Sequence, residues 1–429
     1  MNAAERSETE EPPGQRILGL WRSPLRSLWL TSVFSVVLLG GMILLIVTGL
    51  LSYAAYNPWL GALNDHTPDK GILGFYLFDW PANPSWLFRL NQAIHVTLGI
   101  VIIPVVLAKL WSVLPKLFLW PPVSSVAQAL ERLTLLLLVG GVLFEIVTGL
   151  LNIQYWYAFP FSFYSAHFYG AWITIAAFFA HVALKLPHMI KGLRSRSFRA
   201  ELSTPLEATH PDEVGDDELV ASDKKPATIS RRGLLGAVGA GSAALLVTTV
   251  GQTVGGPFRT VALLAPRGRD QGDGPNDFPV NKTAAYRHIK PSQTGPSWRL
   301  SLATAAGSMA SLSRLQLLEL HLHTYELPIA CVEGWSTVQR WTGIKLRDLA
   351  ALVGEEEPDS VLVESLQQGG AFGSVLLSPT QLLDPQSLLA LKVNGADLSP
   401  DHGFPARIIV PAAPGVHNTK WVRQITFTS

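Results

Sequence analysis

Apolar residues gather in a few long runs and then thin out. Four stretches, Leu28–Tyr53, Leu90–Trp111, Leu133–Ile153 and His167–Leu186, are long enough to cross a bilayer, which needs about 20 apolar residues. The first carries no charged residue and the third carries one, Glu145. Lys109 and Lys185 stand near the ends of the second and fourth, where long cationic side chains snorkel to an interface. A weaker run at 233–254, rich in Gly, Ala and Val, follows Ser230-Arg231-Arg232. From about residue 276 the pattern changes to short elements. Trp298–Leu302, Leu317–Leu322, Val361–Glu364 and Arg407–Val410 read as strands, and Leu346–Leu352 and Pro379–Leu383 as short helices. The fold expected is an all-α transmembrane bundle of four helices plus a fifth anchor helix, followed by an α+β, strand-rich domain. Its segments are a cytoplasmic N-terminus (1–27), the four-helix domain (28–195), an acidic linker (196–230), the fifth helix (231–256), a tether (257–275) and the last domain (276–429). No internal repeat is read.

Composition and charge narrow the function classes. Hydrophobic residues make up 48% of the 429-residue chain and charged ones 15%, below the roughly 25% charged residues of an ordinary soluble protein. A net charge of +1 offers no basic face for nucleic acid. A single cysteine, Cys331, excludes a disulfide scaffold and any cysteine-clustered metal site. Basic residues flank the spans on one side: Arg16, Arg22 and Arg26 before the first, Lys109, Lys116 and Arg132 between the second and third, Lys185 to Arg199 after the fourth. By the positive-inside rule these segments face the cytoplasm. Glu201–Ser230, with eight acids and two lysines, reads as a disordered linker. Five spans then put the last domain on the outer face of a bacterial plasma membrane. Arg231-Arg232 resembles a twin-arginine export signal and equally fits the basic flank of an ordinary span.

Histidines inside apolar spans are costly and point to function. His95 lies in the second span, His167 and His181 in the fourth. His95 and His167 fall at similar depth near the outer face, and His181 lies fourteen residues beyond His167, about 21 Å deeper along a helix. Neutral imidazoles on facing helices are the usual ligands of a b-type haem, while interhelical hydrogen bonding is the plainer reading. The runs Ile94-His95-Val96-Thr97-Leu98-Gly99, Ala166-His167-Phe168-Tyr169-Gly170 and Ala180-His181-Val182-Ala183-Leu184-Lys185 resemble the four-helix cytochrome b family, over residues 20–195. The resemblance implies one haem b at His95 and His167. His181 is left either as the ligand of a second haem or as a polar contact within the bundle, since the first span offers no partner histidine.

The surroundings of Cys331 carry the most specific signal. Leu327-Pro328-Ile329-Ala330-Cys331-Val332-Glu333-Gly334-Trp335-Ser336, Trp341-Thr342-Gly343, Asn394-Gly395, Asp401-His402-Gly403-Phe404-Pro405-Ala406-Arg407, Thr419-Lys420-Trp421-Val422-Arg423 and Phe278-Pro279-Val280-Asn281 together resemble the sulfite oxidase superfamily. The branch most resembled holds the periplasmic methionine sulfoxide reductase catalytic subunit. The resemblance implies a molybdopterin-binding domain in which Cys331 ligates molybdenum, a role suited to a soft thiolate. Arg407 and Lys420 suit a phosphate; Asn281, His402 and Asn418 are candidate pterin contacts; Trp335 and Trp341 are candidates to line the substrate pocket. Glu333 and Trp335 stand where sulfite oxidases carry an anion-gripping arginine, so the expected substrate is a sulfoxide, an N-oxide or protein-bound methionine sulfoxide. The whole reads as a membrane oxidoreductase linking a quinone or quinol pool, through haem, to an outward molybdenum site. Its alternatives are a haem-free anchor bearing a binding module, and a cytochrome with a degenerate outer domain.

Overall fold

The computed structural model describes residues 23–66, 78–117, 125–153, 157–212, 226–307, 309–369 and 372–429. Arg16, Arg22, Asp69 and Lys70, which bear on the orientation of the spans, lie outside these residues, as do 213–225 of the acidic segment. Among the described residues, five helical segments are long and apolar enough to cross a membrane by length and composition: Leu28–Leu60, Leu87–Leu114, Val126–Asn152, Phe163–Ser195 and Arg231–Val254. The first contains α1 (Leu28–Ala55) and the second comprises α2 (Leu87–Val101) and α3 (Ile103–Leu117). Pro104 has no N–H to bond back to Ile100, which interrupts the ladder between α2 and α3. The remaining three are α4 (Val126–Asn152), α5 (Phe163–Ser195) and, after the short α6 (Phe198–Ser203), α7 (Arg231–Val254).

The chain divides into two compact units that cut across these helices. The first is Met1–Ile43, Ile100–Val147 and Tyr169–Leu245. Lys109, expected to snorkel, instead turns inward and donates to Thr31 O (3.1 Å) and Ser35 Oγ (2.7 Å). Arg26 donates to Trp111 O (3.0 Å) and lies over its ring. The described part of the acidic linker, 196–212, has local structure. Ser197 caps α6, and Glu201 and Asp212 accept ion pairs from Arg196 and Arg231. Arg231, the first of the paired arginines, is therefore buried in the folded chain, whereas Arg232 is exposed. These ion pairs join the described residues at the start of the acidic segment to the start of α7.

The second unit is Leu44–Gly99, Thr148–Phe168 and Leu246–Ser429. Among the described residues it holds two five-stranded sheets. One has the order β2 (Met309–Ser313), β1 (Arg299–Thr304), β10 (Val422–Thr428), β5 (Ser360–Ser365), β6 (Ser374–Leu377), with β1 and β10 parallel. Its inward positions alternate, as β5 shows, and bury Leu300, Leu302, Val361, Val363, Ile425 and Phe427. The other runs β3 (His323–Ala330), β4 (Ser336–Lys345), β7 (Leu388–Val393), β8 (Ala396–Asp397), with β9 (Arg407–Ile409) also on β7. Leu317–Leu322 is not a strand: it begins within the helix α8 (Arg314–Glu319). Ser313 accepts from Gln316 N (3.2 Å) and the Gln316 side chain returns to Ser313 N (2.9 Å), a capping box that starts a helix and outweighs the leucine run. The expected helices are present as α9 (Leu346–Ala351) and α10 (Pro379–Leu382). The expected tether is partly structural, because Arg267 within it is buried against Glu333.

Candidate active site

Cys331 sits in the tight connection between β3 and β4. Its N–H donates to Trp335 O (3.0 Å), and Gly334 N donates back to Cys331 O (3.0 Å). Gly334 adopts φ 91°, a conformation that glycine supplies without strain. The thiol is 4% exposed. Burial, and then the nearby Glu333 carboxylate, push its pKa well up.

A cleft with about 720 Å³ of empty space, partly open to solvent, lies over this thiol. Cys331, Trp335, Phe372, His402, Arg407 and Lys420 are among its walls, as are Asn281, Asn418 and Thr419. Arg407 comes from β9 and is buried, donating to His402 O and Asn418 O (both 3.1 Å). Burial pulls its pKa down to about 9. Lys420 donates to Asp401 O (3.0 Å) and Lys282 O (2.5 Å) and reaches Asn281 Oδ1 at 3.5 Å. Burial, followed by the charge on Arg407, lowers its pKa to about 7. His402 donates from Nε2 to Asn276 O (2.8 Å) and stacks on Phe278, ring centroids 3.6 Å apart. Burial and Arg407 hold it neutral, with a pKa near 3. Four cationic side chains, Lys282, Arg287, Arg407 and Lys420, thus border one cleft, an arrangement that attracts an anion.

Residues 287–429 match the family model for the oxidoreductase molybdopterin binding domain. The chain is also similar to curated proteins, among them the following three. It is 37% identical over 100 residues to a nitrate reductase [NADH] of Volvox carteri, covering 20% of this chain and 12% of the relative. It is 35% identical over 104 residues to mitochondrial sulfite oxidase of Mus musculus, covering 22% and 19%. It is 35% identical over 101 residues to the uncharacterized oxidoreductase YuiH of Bacillus subtilis (strain 168), covering 23% and 50%. The chain spans half or less of the length of these relatives. Residues 287–429 form a molybdopterin-binding oxidoreductase domain.

The cleft fits such a cofactor by the chemistry of its unpaired atoms. Arg407 Nε, Asn418 Nδ2 and Thr419 Oγ1, all on cleft-lining residues, are buried without a protein partner; both ring nitrogens of His417 are likewise unpartnered, but that ring packs on Tyr56 rather than lining the cleft. Each orphan costs about 1–3 kcal/mol unless a ligand meets it, and a pterin with many hydrogen-bonding edges and a phosphate can meet several at once. Asn418 is half used already, its Oδ1 accepting from Val410 N (2.8 Å). His417 and Thr419 carry no signal in the sequence beyond lying beside Asn418 and Lys420. The fit to the remaining candidates is uneven. Trp335 lines the cleft, and its Nε1 donates to Glu333 Oε2 (2.7 Å). Trp341 does not line it. Its ring is wholly buried, donates to Leu327 O (3.2 Å), packs edge-on against Phe278 and carries the Arg407 guanidinium 5.2 Å above it. Trp341 is a floor for Arg407, and the expectation that it meets substrate is corrected. Glu333 is also misread by sequence: Arg267 grips it through two nitrogens, Nε at 2.8 Å, so its negative charge is largely balanced, although Cys331 still feels it.

Helix α2 reaches this turn directly. Gln92 Nε2 donates to Val332 O (3.0 Å) and Arg89 Nε to Ser336 Oγ (2.9 Å). A Cβ on Gly334 would come within 2.6 Å of Val96 Cγ1, so the missing side chain permits the close approach. His95, adjacent to Val96, faces His167 across a ring-centroid distance of 6.4 Å at an interplanar angle of 82°. Two metal–imidazole bonds of about 2.0 Å each, with the half-width of each ring, come to roughly that spacing, so the pair fits a haem iron. His181 belongs to the other compact unit, among Lys109, Lys185 and Glu131. Among the described residues no three His, Cys, Asp or Glu side chains gather as a metal site.

Proposed function

We propose that the chain is a membrane-bound molybdopterin oxidoreductase. It would pass electrons between the quinone pool and an extracytoplasmic substrate through one b-type haem held by His95 and His167. The observation that carries this reading is the continuity of α2: His95 is one residue from the Val96 that touches Gly334, in the turn that presents Cys331. When bound, molybdopterin supplies oxygen-atom transfer at molybdenum, and haem supplies one-electron transfer. The chain's own residues would do the rest. Cys331 gives up its proton and binds as thiolate. Arg407 and Lys420 neutralise the cofactor phosphate, which restores their charged forms, and Asn281, His402 and Asn418 hold the pterin. Trp335 and Phe372 narrow the cleft. The C-terminal domain lies on the outer face of a bacterial plasma membrane, with Arg231-Arg232 serving export through the twin-arginine translocase.

The reaction favoured is reduction of a sulfoxide, which consumes two electrons and two protons and yields sulfide and water. One observation favours a second substrate class. With Glu333 paired to Arg267, the cleft no longer repels a small oxyanion, and its cations would attract one. The test uses full-length protein in detergent, reduced with a quinol analogue while the haem absorbance is followed. Rapid reoxidation by sulfoxide, lost in Cys331→Ser, supports the reading. Haem reduction by sulfite supports the oxyanion class instead. Haem that responds to neither acceptor nor donor in any variant contradicts both.

A further inference from the structure

The expectation that the chain holds no internal repeat needs correction. The hexapeptide Ile-Val-Thr-Gly-Leu-Leu occurs twice, at 46–51 in α1 and at 146–151 in α4. In each copy the threonine meets a histidine of the following span. Thr48 Oγ1 lies 2.9 Å from His95 Nδ1, and Thr148 Oγ1 lies 3.3 Å from His167 Nδ1. In each copy the next residue, glycine, stands against the same ring: a Cβ would be 3.2 Å from His95 Cε1 at Gly49 and 4.0 Å from His167 Cε1 at Gly149. Both threonines are buried, at 4% and 0% exposure. The two helix pairs therefore present the same trio, although 47 residues separate threonine from histidine in one and 19 in the other.

Counting protons decides what the first contact does. A hydroxyl has one hydrogen, and Thr48 Oγ1 lies 2.8 Å from Leu44 O and 3.2 Å from Leu45 O. The shortest of its contacts is the one to Leu44 O, the i−4 bond usual for a threonine inside a helix, and the hydrogen is assigned there. Towards His95 the hydroxyl must then accept, and the ring donates from Nδ1. The imidazole is held as the Nδ1–H tautomer, with the Nε2 lone pair available to a metal. Fixing the second nitrogen in this way is how outer groups orient a metal-binding histidine.

We propose that Thr48 and Thr148 are positioning residues of a duplicated histidine clamp. Each fixes the tautomer and rotation of its own ring, so that His95 and His167 present Nε2 as a crossed pair to a single haem. Gly49 serves the same clamp by leaving room for the His95 ring edge, whereas a Cβ at Gly149 would make only an ordinary contact with His167. The proposal rests on the reading of His95 and His167 as a haem pair. The two halves are not equal. His167 also stacks on Phe163, with ring centroids 4.8 Å apart, and its threonine contact is the longer, so Thr48 carries the greater share.

The test compares full-length wild type with Thr48→Val, Thr148→Val, the double variant, and Thr48→Ser, all purified in detergent. Oxidised wild type is expected to give a highly anisotropic low-spin EPR signal, the signature of crossed axial imidazoles. Thr48→Val should weaken haem retention about tenfold and move the signal towards the rhombic form of freely rotating rings. Thr148→Val should do so less, and Thr48→Ser should restore both readouts. If the valine variants keep haem with unchanged spectrum and reduction potential, the clamp proposal is overturned while the haem reading stands. If wild type in haem-replete cells carries no Soret band, the haem reading falls and the proposal with it. Should the double variant fail to accumulate, the single variants and the serine rescue still decide the matter.

Discussion

Cys331 owes its behaviour to its neighbours. Burial and the Glu333 charge hold it as a thiol, so in cofactor-free protein at neutral pH it should resist alkylation until the chain unfolds. Cys331→Ser should lower turnover with any artificial electron donor by more than about 100-fold while leaving the haem spectrum intact. Glu333 in turn needs Arg267. The pair is buried, and removing one member strands the other charge, so Arg267→Ala should destabilise the protein by about 3–5 kcal/mol. Arg267→Met with Glu333→Met should recover most of that loss, read as thermal midpoints in detergent. His402 and His417 set an acid limit. Burial depresses both to about 3, with Arg407 adding for His402 and His66 for His417. The folded chain keeps them neutral while the unfolded chain takes up protons below about pH 6.5. Stability of the cofactor-free protein should therefore fall as pH drops from about 6.5 towards 3, and His417→Gln should flatten that slope. The role proposed for Cys331 was legible because several ordered motifs surround it. His417 and Thr419 were not legible, because a buried unpaired polar atom is a property of packing. The Glu333 partner stood 66 residues away in a stretch that read as a tether.

Elements follow the same logic of local signal against distant contact. Long apolar runs are written in composition, and the helices α1, α4 and α5 lie where those runs predict. Boundaries moved by a few residues, and Pro104 divided the second run. The strand β1 and the helices α9 and α10 were also readable. Leu317–Leu322 was not, because its leucines suit either period and the decision lay with the Ser313 cap. β3, β4, β7 and β10 escaped notice for another reason. The hydrophobic positions of β3, β4 and β10 are interrupted by polar residues, and cross-strand pairing defines them, whereas β7 is a short continuous apolar run that suits strand or helix. The turn at Cys331 yields a prediction at this scale. Gly334→Ala would force a side chain into φ 91° and against Val96, at a cost of about 1–3 kcal/mol. Val96→Ala in the same chain should relieve the steric part and leave the backbone part, which a double-mutant comparison of thermal midpoints would separate.

At the scale of the whole molecule, the two compact units do not coincide with a membrane half and a soluble half. The unit that contains the molybdopterin-binding domain also takes in Leu44–Gly99 and Thr148–Phe168. Those segments carry Thr48, His95, Thr148 and His167. Both proposed redox sites therefore belong to one body. Asn64 exchanges two hydrogen bonds with Leu376 (2.8 and 2.9 Å), and Trp80 Nε1 donates to Ala412 O (2.7 Å). This unity was hidden from the sequence, where 276–429 reads as a separate domain on a tether. Electron transfer between fixed sites in one chain does not depend on diffusion of a partner. The deciding measurement is the molybdenum and iron content of detergent-purified full-length protein, made in cells that supply both cofactors. About one of each metal per chain is expected, with molybdenum lost in Cys331→Ser and iron lost in His95→Ala. Iron without molybdenum in wild type would contradict the proposed function.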